Sequence, residues 1–137
     1  EISIKTSKIA KINNIRKILK IFQKKFANRF KNCCIEGRDI STKILPESDI
    51  KFFFKCNINT AALRRWKELK KTDRTIKFKE VKKALRIRNI HDSNRRFSPL
   101  LKHRDAIEID TSKLNKKAML LKMSKYIDRV IKEKYGN

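Results

Sequence analysis

Glycine is nearly absent from this chain: Gly37 and Gly136 are the only two in 137 residues. A phosphate-binding loop of the form G-x-x-x-x-G-K-[ST] needs two glycines at fixed spacing, and neither glycine here can supply one. The chain carries no standard cradle for ATP phosphates, so its anion chemistry must come from side chains. Those are plentiful, with 38 Lys and Arg against 14 Asp and Glu giving +24 at pH 7. Such a field favours nucleic acid, nucleotides or acidic membrane surfaces. The excess is mostly lysine, however, and runs along the whole chain beside many Ile and Asn. These residues share A- and T-rich codons, so charge alone discriminates little.

The length suits one domain, and a hydrophobic fraction of 39% can build a modest core. Cys33, Cys34 and Cys56 form no C-x-x-C and do not pair with His91 or His103 at zinc-finger spacing. They read as small core hydrophobes in a reducing compartment. No apolar run approaches the roughly 18–20 residues of a membrane span, and no secretory segment opens the chain. A cytoplasmic protein with no membrane partner and no metal-ligand set is expected.

Ile9, Ile12, Ile15, Leu19, Phe22 and Phe26 recur at helical steps, with Asn13 and Asn14 as candidate breaks into two short helices. Cys33-Cys34-Ile35 reads as a buried strand ending in Glu36-Gly37-Arg38-Asp39. Ile50 to Phe54 reads as a second strand after turn chemistry at Pro46 to Asp49. Asn57 or Asn59 can cap the next helix, which carries Leu63, Trp66 and Leu69. A basic link over Lys70–Thr75 leads to a helix from Phe78 through Arg88–Arg95. Ala106 to Asp110 is a third strand, and Leu114 to about Lys134 a closing helix. The alternation predicts an α/β fold with parallel strands flanked by helices.

If the helix from Phe78 continues far enough, Arg88, Asp92 and Arg95 stand at i, i+4 and i+7 on one stripe. Two guanidinium groups flanking a carboxylate suit a phosphorylated, hydroxyl-bearing small molecule. Taken alone, such a stripe is more often a solvated charged face. Arg38-Asp39 lies at a strand's carboxyl end, where parallel sheets gather ligands. Arg suits phosphate, and an Asp carboxylate accepts from the cytosine N4 amine. Ser7 and Arg16 are placed to join the same pocket.

Together, Ser7-Lys8-Ile9-Ala10, Ile15-Arg16, Glu36-Gly37-Arg38-Asp39-Ile40, Leu45-Pro46, Arg64-Arg65, Arg88 to Arg95, Ser98-Pro99-Leu100 and Asp105 to Thr111 resemble the bacterial cytidylate kinase family. The resemblance runs from about Ile4 to the last helix. Its most specific parts are G-R-D-I and R-x-x-x-D-x-N-R-x-x-x-P-L.

The resemblance implies a P-loop nucleoside monophosphate kinase fold, present in part and without its central P-loop strand. It implies transfer of the ATP γ-phosphoryl group, with Mg2+, to CMP or dCMP. Arg38 and Arg95 match phosphate-binding arginines and are the candidate catalytic residues; Asp39 matches the reader of cytosine, and Arg16 and Ser7 match contacts around the base. Arg88 and Asp92 match a pair near the pentose and phosphate, and Arg64 and Arg65 the stem of a short lid over about residues 64–80. The parent is expected to be a monomer acting on small nucleotides rather than on a specific nucleic acid. The rival reading is a basic, non-enzymatic nucleic-acid binder. A basic membrane-surface protein ranks lower, since no single helix combines a strongly apolar face with an all-basic one.

The sequence departs from the family pattern at Ser41 (usually glycine), Ala61 (often arginine), His103 (a small residue) and Asn89 (often acidic). It also begins at Glu1 rather than Met. The expectation is that 1–137 form the C-terminal part of one kinase domain, with the P-loop strand lying between the strands at Cys33–Ile35 and Ile50–Phe54. Without that strand, unpaired buried backbone groups at about 1–3 kcal/mol each weigh on a total stability of about 5–15 kcal/mol. A marginal or aggregating chain, inactive alone, is expected.

Overall fold

The computed structural model describes Ile9, residues 12–30 and residues 32–136; Ser7 lies outside these. The elements in chain order are helix α1 (Asn13–Arg29), a π-helical turn (Ile40–Ile44), strand β1 (Phe52–Lys55), and helices α2 (Ile58–Leu69) and α3 (Phe78–Ser93). Strand β2 (Ile107–Asp110) and helix α4 (Lys116–Tyr135) complete the order. The chain divides into two units: one holds the described residues up to Glu47 with Lys83–His103, the other Ser48–Lys82 with the residues from Arg104 onward.

In the second unit β1 and β2 pair in parallel, from Phe52 opposite Ile107 to Lys55 opposite Asp110. A parallel pair needs a long crossover, and the intervening helices provide it. Ile109 and Ala62 are fully buried, with Val81, Ala106 and Thr111 nearly so. Phe52 stacks on Phe54 with centroids 6.2 Å apart and meets the Tyr126 ring of α4 edge-on. Asn57 caps α2 by accepting the Asn59 N–H at 2.8 Å, and Asn115 caps α4 by accepting from Ala118. The basic link after α2 is held by Trp66, whose Nε1–H donates to the Ile76 carbonyl at 3.0 Å while its ring meets Phe78 edge-on.

The first unit departs from the sequence reading in two places. Cys33-Cys34-Ile35 is not a strand, and Cys33 and Cys34 are exposed rather than core. A strand forms only against a partner ladder, and among the described residues β1 and β2 pair only with each other. The helical interruption falls at Ile12, which takes an extended conformation ahead of α1, with Asn13 and Asn14 inside its first turn.

The periodicity left open which way α1 faces. Ile15, Arg16, Lys20, Gln23 and Ala27 are its half-buried residues, whereas Ile18, Leu19, Phe22 and Phe26 are between 49% and 65% exposed. Amphipathic spacing fixes a stripe but not its direction; here the ion pair from Arg16 to Asp39 draws the polar side inward. The helix also carries six Lys and Arg and no acidic residue. Among the described residues no helix is long and apolar enough to cross a membrane.

Candidate functional site: arginines around two buried carboxylates

In the first unit, the buried side chains among the described residues are Ile44, Asp39 and Asp92. A small core built largely on carboxylates is costly unless each charge is matched, and here both are. Asp92, with no exposed surface, meets three guanidinium groups: Arg95 Nη2 on Oδ1, Arg38 Nε at 3.2 Å and Arg88 Nε at 3.7 Å from Oδ2. Asp39 Oδ2 takes the Arg16 guanidinium. Arg38 and Asp39 are chain neighbours, so the two ion-pair groups join through one peptide bond.

Local sequence explains the placement. A Cβ on Gly37 would come within 2.7 Å of Ile40 Cγ1, so a glycine lets the chain bend into Arg38-Asp39. The π-helical turn then closes on Asp39, whose carbonyl accepts from Lys43 at 2.9 Å, while Ile40 accepts from Leu45 at 2.7 Å. Such turns recur at functional sites. Ser41 sits inside this turn with negative φ, so the missing glycine needs no left-handed backbone. On α3, Arg88 and Asp92 share a face at i, i+4 as read from the sequence.

Arg95 does not follow on that stripe. The helix ends at Ser93, and Arg95 reaches back to Asp92 from the following loop. That loop is closed by Leu100 N–H donating to the Asp92 carbonyl at 2.8 Å.

Charge is unbalanced around Asp92. Three cations face one anion, leaving a surplus of two positive charges in a half-buried cluster. Burial, then the adjacent Arg88, lowers the Arg38 pKa; Asp92 pulls it back up and Arg95 opposes that again. Arg95 Nε–H is buried without a hydrogen-bond acceptor, and Asp92 Oδ2 is buried without a donor in hydrogen-bonding geometry. An unmatched buried donor costs about 1–3 kcal/mol. An anion with several oxygens would satisfy Arg95 and offset the mutual repulsion of the arginines.

Beside this cluster a groove of about 330 Å³ is lined by Arg16, Asp39, Lys43, Ile44, Arg96, Phe97 and neighbouring residues. That volume is at the lower end of small-molecule sites. The structure thus brings Arg16, Arg38, Asp39, Arg88, Asp92 and Arg95 together in one unit.

Arg64 and Arg65 lie in the other unit with partners there. Arg64 Nη2 donates to the Thr111 and Leu114 carbonyls at 2.7 and 2.8 Å, and Arg65 pairs with Glu68 at 2.6 Å. Lys43, Arg96 and Phe97 were not singled out from sequence. The available signal was that Arg96 and Phe97 fill unspecified positions of the R-x-x-x-D-x-N-R-x-x-x-P-L segment.

A parallel strand pair with a helical crossover, together with arginines converging on buried carboxylates, defines an α/β protein with one cluster of guanidinium groups in surplus. Comparison with known proteins gives the family. The cytidylate kinase family model matches residues 1–129. A cytidylate kinase from Clostridium tetani is 37% identical over 134 residues, covering 97% of this chain and 59% of that relative. One from Alkaliphilus oremlandii is 41% identical over 114 residues, with 83% and 52% covered. One from Bartonella tribocorum is 36% identical over 132 residues, with 96% and 61% covered. The chain belongs to the cytidylate kinase family, as the G-R-D-I and R-x-x-x-D-x-N-R-x-x-x-P-L segments suggested. It spans between about half and three-fifths of the length of these curated relatives.

Proposed function

We propose that this chain is the acceptor-binding, C-terminal part of a single cytidylate kinase domain, serving transfer of the ATP γ-phosphoryl group to CMP or dCMP to give CDP or dCDP. The observation that carries the reading is the surplus of guanidinium charge on a fully buried carboxylate, with the Arg95 Nε–H unmatched. Arg38 and Arg95 take the acceptor phosphate, and Asp92 with Arg88 holds them in place beside the pentose. Asp39 accepts from the cytosine amine, oriented by Arg16; Ser7 joins the base contacts. Residues 64–80 act as the short lid, its stem at Arg64 and Arg65.

In phosphoryl transfer there is little covalent chemistry for a protein to do, so positioning and neutralisation dominate. Arg38 and Arg95 bring the acceptor oxygen into line and neutralise charge as the phosphoryl group arrives. ATP enters as its magnesium complex and is a co-substrate. Among the described residues no three His, Cys, Asp or Glu side chains cluster as a metal site. The ATP phosphates are held by a glycine-rich loop that this sequence does not contain. The strand carrying that loop lies beside β1. The parent acts as a cytoplasmic monomer.

The experiment is a coupled ADP assay with CMP, ATP and magnesium. The chain alone should give no steady turnover, and adding a P-loop-bearing cytidylate kinase segment in trans should restore it. Turnover by the chain alone would show that the ATP site is here, and failure of any added segment to restore activity counts against the assignment.

A further inference from the structure

We infer that Phe97, braced by Arg96, is a base-stacking wall that makes the groove selective for a planar pyrimidine rather than for a bare sugar phosphate. This rests on the CMP reading above and extends it to residues that the family motif leaves unspecified. Phe97 is 51% exposed yet lines the same groove as Arg16 and Asp39. Ile44 and Pro99 add apolar surface there. The groove therefore pairs a polar edge, the buried Asp39 carboxylate with its arginine, with an aromatic face. A nucleobase presents that same combination of an amine-bearing edge and a flat π surface.

Two independent features hold the ring. The Arg96 guanidinium lies 5.6 Å from the Phe97 ring centroid, a cation–π distance that limits how the ring turns. Ser98, directly after it, has φ 54°, the one positive φ at a non-glycine among the described residues. A serine there is strained, and such strain persists where the surroundings over-determine the conformation, typically at ligand sites. Those surroundings are visible: Asn94 N–H donates to the Ile90 carbonyl at 3.0 Å, and Leu100 N–H to the Asp92 carbonyl at 2.8 Å. The loop is thus fastened at both ends, one of them on the residue that gathers the phosphate arginines. The loop thus sets the Phe97 ring beside the arginine cluster gathered on Asp92.

The test is calorimetric titration of the full chain with CMP and, separately, with ribose 5-phosphate, which lacks the base. Stacking of one base on one aromatic side chain supports a loss of about 5- to 150-fold on alanine substitution. Phe97→Ala should weaken CMP by that factor and leave ribose 5-phosphate unchanged. Phe97→Trp should retain CMP affinity within about threefold, whereas Phe97→Leu, similar in volume but without a π face, should behave like the alanine variant. Equal losses for both ligands, or none for CMP, would overturn the stacking role. A wild-type chain that binds ribose 5-phosphate as tightly as CMP overturns it too, leaving the phosphate site standing. Binding of neither ligand removes the CMP reading and the wall together.

Discussion

Asp92→Asn should unfold the unit that carries the site. The substitution is nearly isosteric, but it removes the only negative charge that faces Arg38, Arg88 and Arg95 among the described residues. Breaking a buried ion pair by deleting one partner typically costs about 3–5 kcal/mol. Here three cations lose their common counter-ion, so the upper end of that range is expected. Against a total stability of about 5–15 kcal/mol, such a loss takes much of what holds the unit together. Urea denaturation followed by far-UV circular dichroism reads it as a large drop in midpoint, and added phosphate should restore part of it by re-supplying negative charge. An unchanged midpoint would mean that Asp92 does not organise the arginines.

Arg95→Met should have the opposite profile, with modest loss of stability and a large loss of ligand. Asp92 keeps Arg38 at 3.2 Å and Arg88 at 3.7 Å, while one repulsive neighbour of Arg38 disappears. Methionine fills the buried stem volume without a charge. CMP loses a buried guanidinium whose Nε–H has no protein acceptor. A hydrogen bond to a charged group contributes about 1.5–3 kcal/mol, which corresponds to roughly 10- to 150-fold in affinity. Calorimetry with CMP checks this. Wild-type affinity in a folded Arg95→Met chain would place the phosphate elsewhere.

The two substitutions together separate holding from binding. Asp92 is a positioning residue whose charge makes the cluster possible. Arg95 is the group with unused hydrogen-bonding capacity.

Much of this was legible in the sequence, for reasons that differ by residue. The i, i+4 spacing of Arg88 and Asp92 is a local geometric fact, and the helix beginning at Phe78 places both on one face. Asn57 as a cap and the parallel pairing of the two apolar runs followed in the same way from local chemistry and alternation. Arg95 showed the limit: period alone carried the helix past Ser93, whereas the chain turns there toward Pro99 and returns the guanidinium by another route.

Features that need a distant partner were not legible. Cys33-Cys34-Ile35 has strand-like composition, but a strand exists only with a neighbour to bond, and these residues have none among those described. The spacing on α1 was legible as a helical stripe, but the direction it faces was not: an ion pair between residues 23 positions apart, Arg16 and Asp39, brings the polar side inward. Phe97 and Lys43 carried no periodic signal; only the closing of the loop after α3 brings Phe97 beside Asp39.

The most direct measurement is the ratio of dissociation constants for CMP and UMP on the full chain, by titration calorimetry at one salt concentration. The two ligands share phosphate and ribose and differ at the position that an Asp carboxylate reads: cytosine offers an amine donor and uracil a carbonyl acceptor. A buried Asp39 should favour CMP by at least about tenfold, since a mismatched polar edge costs about 1–3 kcal/mol, and Asp39→Asn should narrow that gap. Equal affinity for the two nucleotides, or no binding of either, would contradict a cytidylate pocket assembled from Arg16, Asp39 and the arginines around Asp92.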